Sequence, residues 1–200
     1  MIDTLQGLRA LYPQAKKRAV LKQLDSLDRH CRRFIELAPF VVIASAGKQG
    51  YLDASPRGGA PGFVKVRDAR TLHIPDALGN NRLDSYTNII ETGQVGLYFL
   101  VPGVDETLRV NGTARLRDEA EIVGQFAGER HPPRIVVEVE VREAYLHCAK
   151  ALMRSRLWDV ATQVERAVLP SMGEMLREQT GSSEPVENQQ EMLTRYAREL

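Results

Sequence analysis

"TLRVNGTARLR" (Thr107 to Arg117) alternates apolar and polar residues along its whole length. Leu108, Val110, Gly112, Ala114 and Leu116 fall on one side, and Arg109, Asn111, Thr113, Arg115 and Arg117 on the other. Neighbouring side chains of a strand point to opposite faces, so the pattern predicts a long strand with one face on a core and one toward water. "RIVVEVEVREAYL" (Arg134 to Leu146) repeats the period, with Ile135, Val137, Val139 and Val141 alternating with Val136, Glu138, Glu140 and Arg142. Upstream, "FVVIASAG" (Phe40 to Gly47) and "QVGLYFLVP" (Gln94 to Pro102) are continuous apolar runs, predicted as strands buried on both sides. "YLDAS" follows a Lys48-Gln49-Gly50 turn as a hairpin partner of the first run, and "FVKV" and "TLHI" form a second hairpin about Asp68 and Ala69. "SPRGGAPG" (Ser55 to Gly62) reads as a loop. Six or seven short strands without a β-helix-β rhythm predict a mainly β, α+β fold: an antiparallel barrel with helices at its ends.

The flanks are helical in pattern. Leu21, Leu24, Leu27, Cys31, Phe34, Ile35 and Ala38 make one stripe that Pro39 stops. Lys16, Lys17, Arg18, Lys22, Arg29, Arg32 and Arg33 lie mainly off it, as on a solvated helix face. A short helix is predicted over 81–92 with Leu83, Tyr86, Ile89 and Ile90 inward, and another over 118–126. The chain ends in helical segments "AKALMRSRLWDVA", "PSMGEMLREQ" and "ENQQEMLTRYAREL", with "TGSSEPVE" as a polar linker. The expected organisation is one domain: a helical lead-in over 1–38, a barrel over 39–158 and a helical tail over 159–200.

Composition removes several function classes. The chain has 200 residues, 43% hydrophobic and 26% charged, with a net charge of +1. That balance gives no strong global attraction to nucleic acid or anionic lipid, and no reading helix stands out. No apolar run has the length of a membrane span, and the N-terminus lacks the order of a signal peptide. Two distant cysteines, Cys31 and Cys148, argue against structural zinc and a disulfide framework. A cytoplasmic protein with reduced thiols is expected.

Three stretches could carry chemistry. In "IPDALGNNRLDS" (Ile74 to Ser85), Gly79, Asn80, Asn81 and Arg82 stand at the expected helix entrance. Free N–H groups, the positive end of the helix dipole and a guanidinium fork make a phosphate site, although an Asn-capped helix with a surface arginine carries the same signature. In "DASPRGGAPGFV", Arg57 sits within reach of an anion. In "LHCAKALMRSRLW", His147 and Cys148 are adjacent on a strand and so point apart, against a Cys-His nucleophile pair. Lys150 and Arg154 are four apart and share a helix face, suiting a phosphate or a dimer partner. No G-x-G-x-x-G, Walker loop, HExxH or close carboxylate pair is present, and no metal site is expected. What remains is a small barrel with cationic, Asn- and Gly-rich loops, suited to a phosphorylated ligand that brings its own chemistry.

The order "YLDASPRGGAPGFV", "LHIPDALGNNRLDSYTNI", "VGLYFLVPGVDETLRVNGTA" and "HCAKALMRSRLW" resembles the pyridoxamine 5′-phosphate oxidase-like flavoproteins, and within them the branch of roughly 200-residue FMN-dependent proteins with unassigned substrate. The likeness spans Pro39 to Trp158. It implies a split β-barrel paired into a homodimer, with FMN at two sites in the subunit interface. Asn80, Asn81 and Arg82 would meet the FMN phosphate. Ser55, Pro56 and Arg57, with Pro75 and Asp76, would run along the flavin. Thr107 would stand where the oxidases place a glutamine against the ring. Lys150 and Arg154 would arrive from the C-terminal end, in one arrangement from the other subunit.

Two departures bear on activity. The oxidases carry an Arg-x-Val-Leu-Leu-Lys stretch where this chain reads "DASPRG", and a closing Trp- and Arg-bearing segment that "LREQTGSSEPVENQQEML" lacks. The resemblance therefore implies an FMN-binding oxidoreductase acting on a small molecule other than pyridoxamine phosphate. His147 and Tyr98 are the candidates for proton transfer, with packing the alternative for Tyr98, and no catalytic residue is assigned. The alternatives are a split barrel using F420 or haem, and a binding or regulatory module that works through the basic N-terminal helix or the tail after Pro170.

Overall fold

The computed structural model describes residues 1–200. Seven strands form it: β1 (Phe40–Ala46), β2 (Leu52–Gly58), β3 (Lys65–Val66), β4 (Thr71–Pro75), β5 (Gln94–Leu100), β6 (Thr107–Arg117) and β7 (Val136–His147). They make one antiparallel sheet in the order β2-β1-β5-β6-β7-β4-β3. The sheet is not closed: β2 and β3 are its edges, as in a split barrel. Around it lie α1 (Leu5–Leu11), α2 (Lys17–Leu21), α3 (Arg29–Leu37), α4 (Asp84–Thr92), α5 (Ala120–Val123), α6 (Lys150–Ser155), α7 (Met172–Thr180) and α8 (Gln189–Glu199).

The two alternating stretches are the centre of this sheet. β6 pairs with β7 from Thr107↔His147 to Arg117↔Val136. The pairing shifts between Asn111 and Gly112, where β7 carries one extra residue, Arg142. Beyond this bulge the buried face passes from Val137, Val139 and Val141 to Ala144, so the inward side is kept across the irregularity. Gly112 is needed there: a Cβ would come within 2.0 Å of the Glu140 carbonyl oxygen. Ala144 also exchanges both backbone hydrogen bonds with Leu24, at 2.9 and 3.0 Å.

The core is a single cluster formed by the inner sheet face, α3 and α4, with Ile35, Val41, Ile43, Leu72, Leu97 and Phe99 among its most buried members. At about 1.5–3 kcal/mol for each fully buried aliphatic or aromatic side chain, this cluster supplies the main force closing the sheet onto its helices. α4 crosses between β4 and β5, presents Ser85, Tyr86 and Ile89 inward, and stops at Gly93, whose left-handed φ of 67° donates its N–H back to Ile89.

Several local expectations are corrected. The stripe from Leu21 to Ala38 is not one helix. α2 ends at Leu21 and α3 begins at Arg29, because Asp28 caps α3 by accepting from His30 and Cys31 while Leu24 joins β7. β1 is buried on one face only, through Val41, Ile43 and Ser45, and leaves Ala44 exposed. Ser55 to Gly58 belong to β2 and not to a loop; Pro56 is accepted because β2 is an edge strand. Leu83 and Ile90 face solvent. α6 ends at Ser155 rather than continuing past Trp158.

Candidate functional site

β2 alternates, so Asp53, Ser55 and Arg57 share its half-buried face. The chain leaving β4 carries Asp76 to Arg82 past that face, and α4 then sets Ser85 and Tyr86 beneath it. Arg134 approaches from the segment that enters β7. Together these elements enclose a cavity of about 600 Å³.

Hydrogen bonds hold its wall. Ser85 Oγ–H donates to Asp53 at 2.5 Å, and the Tyr86 hydroxyl donates to Asp76 at 2.6 Å. Burial, followed by the Asp76 carboxylate, pushes the Tyr86 phenol well above its usual range, so it stays a proton donor. Arg57 lies 5.6 Å over the Tyr86 ring and donates to Ser55 Oγ at 2.5 Å and to the Pro56 carbonyl at 2.9 Å. Arg82 donates to Asp84 at 2.7 Å, and its backbone N–H to Asn80 Oδ1 at 3.1 Å.

The helix entrance is not the one expected. α4 starts at Asp84, its N-cap position is Leu83, and no side chain caps it. Asn81 and Leu83 both have left-handed backbones, with φ of 59° and 60°. For a leucine this conformation costs on the order of 1 kcal/mol, strain stored in the cavity wall. Asn80 and Asn81 therefore shape a tight loop ahead of the helix.

Three arginines and three aspartates line the cavity, and their pairing separates them. Asp84 holds Arg82, Asp53 takes Ser85, and Asp76 takes Tyr86. Arg57 and Arg134 make no ion pair, and Arg134 makes no hydrogen bond. Two cations are left open toward one space, and hydroxyl-binding carboxylates stand in the same wall. This donor set suits a phosphorylated polyol.

Of the residues singled out in the sequence, Ser55, Pro56, Arg57, Asp76, Gly79, Asn80, Asn81 and Arg82 line this one cavity. Pro75 ends β4 opposite Val136, next to the wall but not in it. Thr107 is buried at the start of β6 and donates to the Tyr98 hydroxyl at 2.9 Å. Lys150 and Arg154 are exposed on α6, and within one chain none of these last three reaches the cavity. His147 stands opposite Thr107, 5.2 Å from the Tyr145 ring centre and 6.3 Å from that of Tyr98. Burial first, then Lys22 and Arg109, hold its imidazole below the usual pKa.

Asp53, Ser85, Tyr86 and Arg134 were missed. Asp53 is two residues before Ser55, and strand alternation was the signal that would have found it. Arg134 has no local signal; only the fold brings it to the wall. Elsewhere, no three His, Cys, Asp or Glu side chains gather as a metal site would need. No helix is long and apolar enough to cross a membrane.

A family model for pyridoxamine 5′-phosphate oxidase matches residues 27–148, more than half of the chain. The chain belongs to the pyridoxamine 5′-phosphate oxidase family. Among solved structures, this family member is similar to HupZ of Group A Streptococcus, with 15% identity and a TM-score of 0.51 over 60% of this chain and 93% of that one. It is also similar to a Lactobacillus delbrueckii protein named after pyridoxamine 5′-phosphate oxidase, with 22% identity and a TM-score of 0.50 over 62% and 98% of the two chains. At these identities the likeness is one of fold. No curated protein matches the chain.

Proposed function

We propose that this family member binds FMN in the cavity between β2 and α4 and works as a homodimeric, cytoplasmic FMN-dependent oxidoreductase on a small molecule. The observation that carries the reading is the pair of unpaired arginines, Arg57 and Arg134, facing a cavity whose other polar groups suit a hydroxylated chain. A volume near 600 Å³ is ample for the phosphate and ribityl part of a nucleotide.

In this reading Arg57 and Arg134 hold the phosphate, and Asp53 with Ser85 accepts and donates to ribityl hydroxyls. Asn80 and Asn81 shape the loop over them. Bound FMN supplies a ring that accepts a hydride and hands electrons to a second substrate. Thr107, Lys150 and Arg154 would meet the cofactor of a second copy. His147 stays neutral at neutral pH and can accept a proton there, since its charged form is disfavoured by burial and two nearby cations.

The deciding experiment is the visible spectrum of the purified protein, with any released pigment identified by mass. A two-banded flavin spectrum and FMN in the supernatant support the reading. F420 or haem in the supernatant replaces the cofactor, and a colourless protein that takes up no added FMN removes it. Flavin that no reductant bleaches under anaerobic conditions would leave a binding protein without redox activity.

A further inference from the structure

No residue before Leu27 and none after Ala144 is buried, so the two ends of the chain add nothing to the core. Both nevertheless carry exposed apolar side chains. Along α1, Leu5, Leu8 and Leu11 recur every three residues and are 82%, 41% and 63% exposed. In the C-terminal segment Val160, Val164, Val168, Leu169 and Leu176 are all exposed. Three side-chain hydrogen bonds tie the C-terminal segment to the sheet domain: Trp158 Nε1–H to the Val104 carbonyl at 2.9 Å, and Arg130 and His131 to the Ala197 and Arg198 carbonyls of α8.

The surface area measures how incomplete this arrangement is. The chain exposes 14,054 Å². A compact globule of its 22.4 kDa exposes about 9,400 Å², so roughly 4,600 Å² is in excess. Burying half of that excess in each of two copies gives an interface of about 4,600 Å², within the range of obligate homodimers.

Charge says which surfaces meet. In residues 1–22, Arg9, Lys16, Lys17, Arg18 and Lys22 stand against Asp3 alone, a net +4. In residues 157–200, eight carboxylates stand against four arginines, a net −4. The whole chain is nearly neutral because its two ends cancel. Yet within one chain no hydrogen bond or ion pair joins these ends; the N-terminal end reaches only β7, through Lys22 and the Leu146 carbonyl at 2.7 Å. Both ends also lie outside the family match over 27–148.

We propose that the basic N-terminal arm of one copy packs its Leu5-Leu8-Leu11 stripe against the acidic C-terminal arm of a second copy, and the reverse, so that exchanged arms clasp the dimer. Apolar contact supplies the affinity, while opposite charge selects arm-to-arm pairing and keeps like arms apart. The proposal rests on the homodimer of the functional reading and not on its flavin.

The test uses the full-length chain in sedimentation equilibrium. Two variants are made, Leu8→Glu/Leu11→Glu in the N-terminal arm and Val164→Asp/Val168→Asp in the C-terminal arm. Each is expected to raise the dimer Kd at least about 100-fold, as loss of an apolar hot spot does, with the far-ultraviolet circular dichroism of the sheet domain unchanged. Mixing the two variants restores dimer, because one intact arm pair remains in the heterodimer. Raised salt weakens the full-length dimer. Variants that dimerise as tightly as the parent overturn the exchange and leave the homodimer standing. A monomeric parent overturns both, whatever its colour. Weakened variants that show no recovery on mixing place each arm on its own chain, which also overturns the exchange.

Discussion

Two arginine clusters sit on this molecule and have opposite characters. On the outer face of the β4-β7-β6 region, Glu138 receives Arg115 at 2.6 Å, Arg117 at 2.6 Å and His73 at 3.1 Å, and His73 also meets Gln125 at 3.3 Å. Each arginine there has a carboxylate partner. In the cavity between β2 and α4, the aspartates are occupied by Arg82, a serine and a tyrosine, and Arg57 and Arg134 remain open. A closed cluster fastens strands together; an open one keeps a field that an incoming anion can neutralise. Residue type does not separate the two, since both are built of arginine and carboxylate. Pairing does.

The comparison breaks most visibly if the open arginines are removed. Arg57→Ala/Arg134→Ala should weaken FMN binding by roughly 100-fold or more, since a hydrogen bond to a charged group is worth about 1.5–3 kcal/mol. Riboflavin, which lacks the phosphate, should bind the variant and the parent about equally. Fluorescence titration of the apoprotein reads both, and equal losses for the two ligands would show a collapsed wall instead of a lost phosphate clamp.

In the closed cluster, Glu138→Gln should cost about 2 kcal/mol of stability, because it takes the buried-side carboxylate from Arg117, which keeps only the exposed Glu119, and weakens the hydrogen bond to buried His73. A fall in thermal midpoint of roughly 4–8 °C is expected for a chain of this size. Flavin affinity should not change.

The same carboxyl sets an acid limb. Burial alone would raise its pKa, but hydrogen bonds from Arg115, His73 and Arg117 outweigh that and hold it below the usual range. The unfolded chain therefore binds this proton more readily than the folded one. The stability it contributes is present above about pH 4.3 and is lost as the pH falls through the lower, folded value. Urea midpoints measured across the acid range should slope less in Glu138→Gln than in the parent.

The smallest effect belongs to the arginine that looked most attractive in the sequence. Arg82 is exposed and already paired with Asp84, so Arg82→Ala should change FMN affinity within about threefold. A loss as large as that of Arg57 would mean that Asp84 releases Arg82 when the ligand enters.

Much of the sheet was legible because strand alternation is a local signal. The patterns of 107–117 and 134–146 placed β6 and β7, and the turn residues placed the hairpins. The continuous apolar run of β1 misled, because an outer face of small residues such as Ala44 has the same composition as an inner one. The broken N-terminal stripe misled for another reason. Leu24 keeps helical spacing with Leu21 and Leu27, but its backbone hydrogen bonds go to Ala144, 120 residues away.

By itself the sequence determined the antiparallel, strand-rich class, the family likeness and eight of the residues that line the cavity, because each is written in local periodicity, turn chemistry or motif order. Only the tertiary structure decided that Asp53, Ser85, Tyr86 and Arg134 share that wall, that Arg82 is held by Asp84, and that the oppositely charged ends of the chain do not pair with each other within it. These depend on which side chains meet across long separations, and pairing at a distance leaves no period in the chain.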